Sequence, residues 1–294
     1  MKLKRLQKRV RTQLIPMLAT GVRYADRLGL LSANRWLSMD KLQHALLPIH
    51  VERGVTDSIL IIAFSGGAQQ LTIPVHQFFE ITKTLGYSRI LLRDKHEMHY
   101  HFGVDRKRRD WPSLLEYLKI QIQELAPQKV ICIGTSSGGY AALVAGYYLG
   151  ADYVHAFGAQ TRIGVDPESI RTAVNPRNRR KLYQSKRAFR QVFDLAPLLE
   201  KPNHKTTYFL HYCACHETDR GFAERVAALP SVITFGYPCS AHAVAIFLAK
   251  KRWLGKLLEV ENQDRLAEVV KDGFGGEVVI TPNLVNKAPQ AVSR

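Results

Sequence analysis

No stretch of this sequence approaches the ~18 consecutive apolar residues that a membrane-spanning helix requires. Its apolar runs, such as Ile59–Phe64 and Val130–Ile133, end in glycine turns, so no helical span is expected. Cysteine is scarce: the four residues at 132, 213, 215 and 239 are too few and too clustered for a disulfide framework and are expected to be reduced. Gly134–Gly139 lacks a GxGxxG pattern, and no Walker lysine follows, so no nucleotide fingerprint is present and no cofactor is expected. There is no zinc-finger spacing, no aromatic RNP pattern and no heptad-linked basic helix, which argues against a nucleic-acid partner despite the positive charge. Repeats and low-complexity tracts are missing too. What remains is a globular balance, 46% hydrophobic and 23% charged over 294 residues, enough to bury one large core or two small ones.

Acidic residues are also few, 25 against 42 Lys and Arg, for a net charge of +17. The excess is concentrated. Residues 1–11 carry six basic side chains, 106–109 four and 171–190 eight, with no acid in any of them, while the other 259 residues are balanced at 24 against 25. Such runs suit a solvated face, a mobile arm or the binding of an anion, and the first suits peripheral contact with a membrane surface. Met1–Arg11 has the charge of a signal peptide, but Gln13, Pro16, Thr20 and Gly21 interrupt the apolar segment that should follow. The segment is expected to remain uncleaved and the protein to be cytoplasmic.

Short apolar runs alternate with longer helical patterns, which predicts an α/β fold: a mostly parallel central sheet with helices on both faces. Strands are expected at Ser58–Phe64, Ser88–Leu92, Lys129–Ile133, Asp152–Phe157, Thr206–Tyr212 and Val232–Gly236, and helices at Pro74–Leu85, Trp111–Leu125, Ser137–Leu149, Arg220–Ala228 and His242–Leu257. The 160–205 gap far exceeds an ordinary connection of ~2–6 residues, so a basic helical insertion is expected there. The domain reading is a basic helical segment at 1–50, the α/β unit at 51–260 and a polar extension at 261–294.

Lys129–Gly150, KVICIGTSSGGYAALVAGYYLG, carries the most chemistry. A buried strand runs into Gly134-Thr135-Ser136-Ser137-Gly138, and a helix with a small-residue face follows. A serine at so sharp a turn adopts a strained backbone, and glycines two residues to either side are required because any side chain there would collide with strand or helix. Ser136 is therefore the candidate nucleophile; the alternative is a tight turn whose serine caps the helix. The loop Ser65-Gly66-Gly67-Ala68 leaves another apolar strand.

These features resemble the α/β-hydrolase superfamily, and the succession FSGG, GTSSGGYAAL and FGAQT at Phe157–Thr161 is similar to small bacterial serine hydrolases, some linked to carbohydrate or capsule chemistry. The resemblance implies a triad in the chain order nucleophile, acid, base, and an insertion before the acid-bearing strand. An acid then belongs in the loop at 213–220, where both Asp219 and Glu217 qualify; Asp219 is preferred because the resembled pattern places an aspartate just before a helix, with helix capping as the alternative. Only His242 follows the acid, so the implied order selects it as base. The oxyanion hole needs two backbone N–H groups: Ser137, after the nucleophile, and Gly67, where glycine permits close approach. A glycine turn is the alternative for Gly67.

His211, Cys213, Cys215 and His216 have metal-ligand chemistry but no spaced second pair, so no metal is expected. His96, His99 and His101 lie beside Arg93 and Asp94 in a polar loop, where substrate contact or surface exposure is expected. The reading is a serine esterase or related acyl hydrolase acting on a small-molecule or carbohydrate-linked acyl substrate, an anionic one if the basic insertion overhangs the site. An acyltransferase with the same triad and a non-catalytic binder of an anionic polymer are the alternatives. Oligomeric state is not legible.

Overall fold

A computed structural model describes residues 47–164, 181–186, 188–201 and 205–281, with the side chains of 56 and 57 left aside. The basic N-terminal segment, most of the 171–190 run and the last 13 residues lie outside the described residues.

The strands are β1 (Ile49–Glu52), β2 (Thr56–Phe64), β3 (Tyr87–Leu92), β4 (Lys129–Thr135), β5 (Tyr153–Phe157), β6 (Thr207–Cys213), β7 (Val232–Tyr237) and β8 (Val279–Thr281). They form one sheet in the order β1-β3-β2-β4-β5-β6-β7-β8. The six inner strands run parallel, and the short edge strands β1 and β8 pair antiparallel with β3 and β7. Helices among the described residues include α1 (Val75–Lys83), α2 (Trp111–Leu125), α3 (Ser137–Leu149), α4 (Ala196–Glu200), α5 (Glu217–Glu224), α6 (Val244–Lys250) and α7 (Leu266–Phe274).

Successive strand residues face opposite sides, and the core divides accordingly. Leu60, Ile62, Val130, Cys132, Val154 and Tyr208 pack under α2, α3, α4 and α5. Ile59, Ile61, Ile131, Ile133, Tyr153 and Phe209 pack under α1, α6 and α7. Both faces are covered, which is why the central strands read as unbroken apolar runs. Helix α3 is buried from Ser137 through Gly146, as expected of a helix without a polar face.

The segment expected as a polar extension is different in part. Leu266, Val270 and Phe274 of α7 are core residues, and β8 extends the sheet against β7, so the α/β unit continues to at least Thr281. The predicted helix at His242–Leu257 stops at Lys250, because Arg252 takes a left-handed conformation at φ 59°. The acid-loop helix starts at Glu217 rather than Arg220, capped by the His216 side chain.

Chain order reverses around β2, whose neighbours β3 and β4 lie on either side. Loops leaving β2 and β4 diverge there, and the crevice at the carboxyl ends of such strands is where ligands bind in open α/β sheets.

Candidate active site

Ser136 sits between β4 and α3 with φ 53° and ψ −121°, a left-handed conformation that a serine holds only under constraint. Its N–H donates to the Phe157 carbonyl at 2.8 Å. A Cβ on Gly134 would come within 2.0 Å of the Gly138 carbonyl oxygen, and one on Gly138 within 2.1 Å of the Phe64 carbonyl oxygen. The two glycines thus permit the close strand-to-helix crossing the turn demands.

Asp219 lies in the first turn of α5 and is 3% exposed. Both its carboxylate oxygens lie 2.8 Å from Nδ1 of His242, in the loop after β7. The hydrogen bond that His242 donates to Asp219 outweighs partial burial and raises the pKa of His242 above 6.5. Glu217, the other acid considered, is exposed in the same turn. Asp219 and His242 cross over Gly158, which follows β5 at φ 53°: a Cβ there would stand 3.1 Å from Asp219 Oδ2 and 3.2 Å from His242 Nδ1. Sequence reasoning gave Gly158 no role, although it lies within the FGAQT stretch.

Ser136 Oγ accepts a 3.3 Å hydrogen bond from Nε2 of Gln160, a second residue of that stretch without an assigned role. Among the described residues, no hydrogen bond joins Ser136 to His242.

Of the amide donors, Ser137 is buried as the first residue of α3, where N–H groups have no partner inside the helix. Gly67 is exposed with open space around it, and no hydrogen bond among the described residues engages its N–H. Gly66 is the residue packed against the elbow, its would-be Cβ 3.6 Å from that of Ser136, but its N–H donates to the Gln70 carbonyl at 2.8 Å.

The cysteine expectation is corrected: Cys213 and Cys239 form a disulfide. β6 and β7 are in register with Cys213 opposite Tyr237, so Cys239, two residues further on, meets Cys213, and the bond ties the end of β6, just before the helix bearing Asp219, to the loop bearing His242. Cys213 is thereby withdrawn from the metal-ligand set, and His211 is buried among aromatic rings. Among the described residues, the one group able to hold a metal ion is His216, Asp219 and His242, whose donor atoms lie within 4.8 Å of one another. Surface exposure fails as a reading of His99 and His101, which are 2% and 0% exposed; only His96 of the three is at the surface.

No family model and no curated protein matches the sequence. Solved structures do match in shape. The 2,6-dihydroxy-pseudo-oxynicotine hydrolase superposes with a TM-score of 0.50 at 14% identity, over 72% of this chain and 62% of that one. The capsule O-acetyltransferase of Neisseria meningitidis serogroup A gives 0.48 at 15%, over 71% and 90%. The esterase Pf2001 of Pyrococcus furiosus gives 0.43 at 14%, over 73% and 81%. At such identities the likeness is one of fold. The first of these structures, taken with the strand order, the two-faced helical cover and the serine turn after β4, gives this chain the α/β-hydrolase fold.

Proposed function

We propose that the protein is a serine hydrolase that cleaves an ester or thioester through an acyl-enzyme on Ser136. The observation that carries this reading is the buried Asp219 carboxylate bound to His242 Nδ1, past the carboxyl ends of β6 and β7 and so at the same end of the parallel strands as the strained serine turn after β4. With Nδ1 protonated toward Asp219, Nε2 of His242 has a free lone pair and acts as general base.

Substrate entry displaces the Gln160 contact, and the Ser136 hydroxyl turns to His242; such catalytic hydrogen bonds commonly form only in the complex. Ser136 Oγ attacks the carbonyl carbon while its proton passes to His242 Nε2. The oxyanion is held by the N–H groups of Ser137 and Gly67. Collapse breaks the bond to the alcohol or thiol, which leaves with the proton from His242. Water then attacks the acyl-enzyme, gives its proton to His242, and the acid departs as Ser136 recovers it. Asp219 keeps the imidazole in the required tautomer and stabilises the imidazolium between these transfers.

Hydrolysis of p-nitrophenyl acetate by the unmodified protein, Ser136→Ala, His242→Ala and the double variant tests this. Each single change is expected to lower kcat by several orders of magnitude and the pair to add little, because the two act as one unit. Losses that add, or a Ser136→Ala variant that keeps its turnover, would overturn the reading.

A further inference from the structure

The loop that follows β3 is built with care around one carboxylate. Asp94 accepts the backbone N–H groups of His96, Met98 and Tyr100 at 3.0, 2.7 and 2.9 Å. Three of its residues, Glu97, His99 and Tyr100, take positive φ values of 52°, 52° and 62° without being glycine. The Tyr100 hydroxyl lies 3.0 Å from the carbonyl of Ser65, at the exit of β2. Strain of this kind persists where surrounding structure enforces it, and it gathers at ligand sites.

Two histidines of the loop are fully enclosed, and they differ. His101 is satisfied: Nδ1 accepts the Phe189 N–H at 3.1 Å, and Nε2 lies 3.2 Å from the Tyr140 hydroxyl, which itself donates to the Val192 carbonyl at 2.7 Å. His99 is 2% exposed, yet neither ring nitrogen has a hydrogen-bond partner. Its ring stands edge-on to Tyr140 at 5.2 Å, and the Tyr140 N–H bonds the Ser136 carbonyl at 3.1 Å. Gln160 is a hydrogen-bonding neighbour of His99 that falls short of a formed bond: its Nε2 is on Ser136 Oγ, and its Oε1 is buried and also unpartnered. Burial lowers the pKa of His99 to about 4, so the ring is neutral at pH 7 and offers one N–H and one lone pair.

Three unsatisfied hydrogen-bonding atoms thus lie next to the nucleophile, in a protein interior where nearly all such groups are paired. A hydroxyl group, donor and acceptor at once, is a small function that can serve both residues, accepting the His99 N–H and donating to Gln160 Oε1. We propose that His99 and Gln160 form a hydroxyl-recognising subsite beside Ser136, so that the preferred ester carries a hydroxyl a few bonds from its scissile carbonyl. This rests on the serine hydrolase reading above.

The test uses two matched ester pairs. Phenyl lactate against phenyl propionate places the hydroxyl on the acyl side, and 2-hydroxyethyl acetate against ethyl acetate on the alcohol side. The expected result is a kcat/KM about 10-fold or more higher for the hydroxylated member of one pair. His99→Phe, which keeps ring volume and removes both nitrogens, should bring that ratio toward one through KM and kcat together. His99→Gln, which restores a donor and an acceptor, should recover part of it. Fluorophosphonate labelling of Ser136 should be unchanged in both variants, and the Tm of His99→Phe should not fall, since it removes unpaired polar atoms. A structural histidine would give the opposite, a lowered Tm with the ratio intact. No hydroxyl preference in either pair, a preference that survives His99→Phe, or no turnover of any of the four esters would overturn the inference. Absence of labelling in the unmodified protein would instead bring down the hydrolase reading, and the subsite with it.

Discussion

The strands β5, β6 and β7 carry two histidine systems within a few residues of each other, and the two are opposite in every physical respect. Inside the sheet, His155 Nε2 donates to Oε1 of Gln263 at 2.8 Å, His155 Nδ1 accepts from Nε2 of His211 at 3.0 Å, and His211 Nδ1 accepts from the Tyr237 hydroxyl at 3.0 Å. The Gln263 amide fixes the direction of this chain, because its Nε2 donates to the Leu257 and Glu259 carbonyls. The rings stack as well: His155 and His211 are 7° from parallel, and Phe157 and Phe235 flank His211 at 4.6 and 5.0 Å. Every ring nitrogen is used, and burial lowers both pKa values, to about 4 for His155 and well below 6.5 for His211. At the carboxyl ends of the same strands, His242 is 40% exposed, bound on one nitrogen only, and its pKa is raised by Asp219. A histidine that is fully paired and cannot be charged builds the sheet; one that is half-paired and easily charged is free to move a proton.

If that contrast is correct, the two systems separate under mutation. The largest effect belongs to Ser136→Ala and His242→Ala, with kcat falling by about 10⁴-fold or more while Tm stays within a few degrees. Next, Asp219→Asn should lower kcat by about 10³–10⁴-fold, since the amide favours the wrong tautomer. It should also shift the acid limb of the pH–kcat/KM profile. In the unmodified protein activity requires neutral His242 and is lost as pH falls through its raised pKa, above 6.5; without the carboxylate the limb moves to lower pH. Glu217→Gln, exposed in the same turn, should leave turnover within about 2-fold.

The buried pair should act on stability instead. His155 and His211 are neutral when folded and bind protons when unfolded, so their contribution is complete above pH 6.5 and is lost as pH falls toward 4. Each costs about 1.4 kcal/mol per pH unit in that window. Denaturant melts of His211→Phe from pH 7 to 4.5 should show a shallower decline than the unmodified protein, with kcat at pH 7.5 nearly retained. Loss of the Cys213–Cys239 bond, which closes a 26-residue separation, should cost about 3 kcal/mol by chain entropy. It should also loosen Asp219 against His242, which a Cys213→Ala and Cys239→Ala double variant would reveal as a lowered Tm with a smaller loss of kcat. A pH-independent melt, or a His211→Phe variant as inactive as His242→Ala, would erase the distinction between the two systems.

The central architecture was legible because its signals are local. All six predicted strands are present within about two residues at each end, and α2 and α3 have the predicted bounds, since unbroken apolar runs and Asp110 before Trp-Pro leave few alternatives. The edges were not legible. β1 and β8 are four and three residues long, held by pairing with a neighbour rather than by a pattern of their own. Helix α7 has apolar residues at 266, 267, 269, 270 and 274, but it is a short element interrupted by Glu268, Lys271 and Asp272, so its apolar face does not stand out from the sequence around it. Of the candidate site residues, Ser136 was singled out by the sterics of the glycines around it, and Asp219 and His242 by the chain order of the resembled fold; the hydrogen bond between Asp219 and His242 is present in the structure. Gly158 and Gln160 were given no role because their contacts, with Asp219 and His242 and with Ser136, join the ends of different strands in a way that no spacing along the chain encodes; of the two expectations for His99, exposure is excluded by its burial. The disulfide was missed for the same reason: Cys213 and Cys239 meet only once β6 and β7 are in register. Of the basic runs, 106–109 is partly structural, with Arg108 turned back onto Asp105 and the Tyr117 ring.

The most direct measurement is covalent labelling with a fluorophosphonate across pH 5–9, followed by peptide mapping. The account predicts a single adduct on Ser136, forming faster as pH rises through the pKa of His242, and formed far more slowly in Asp219→Asn. An adduct on another serine, or a labelling rate indifferent to both pH and Asp219, would contradict it.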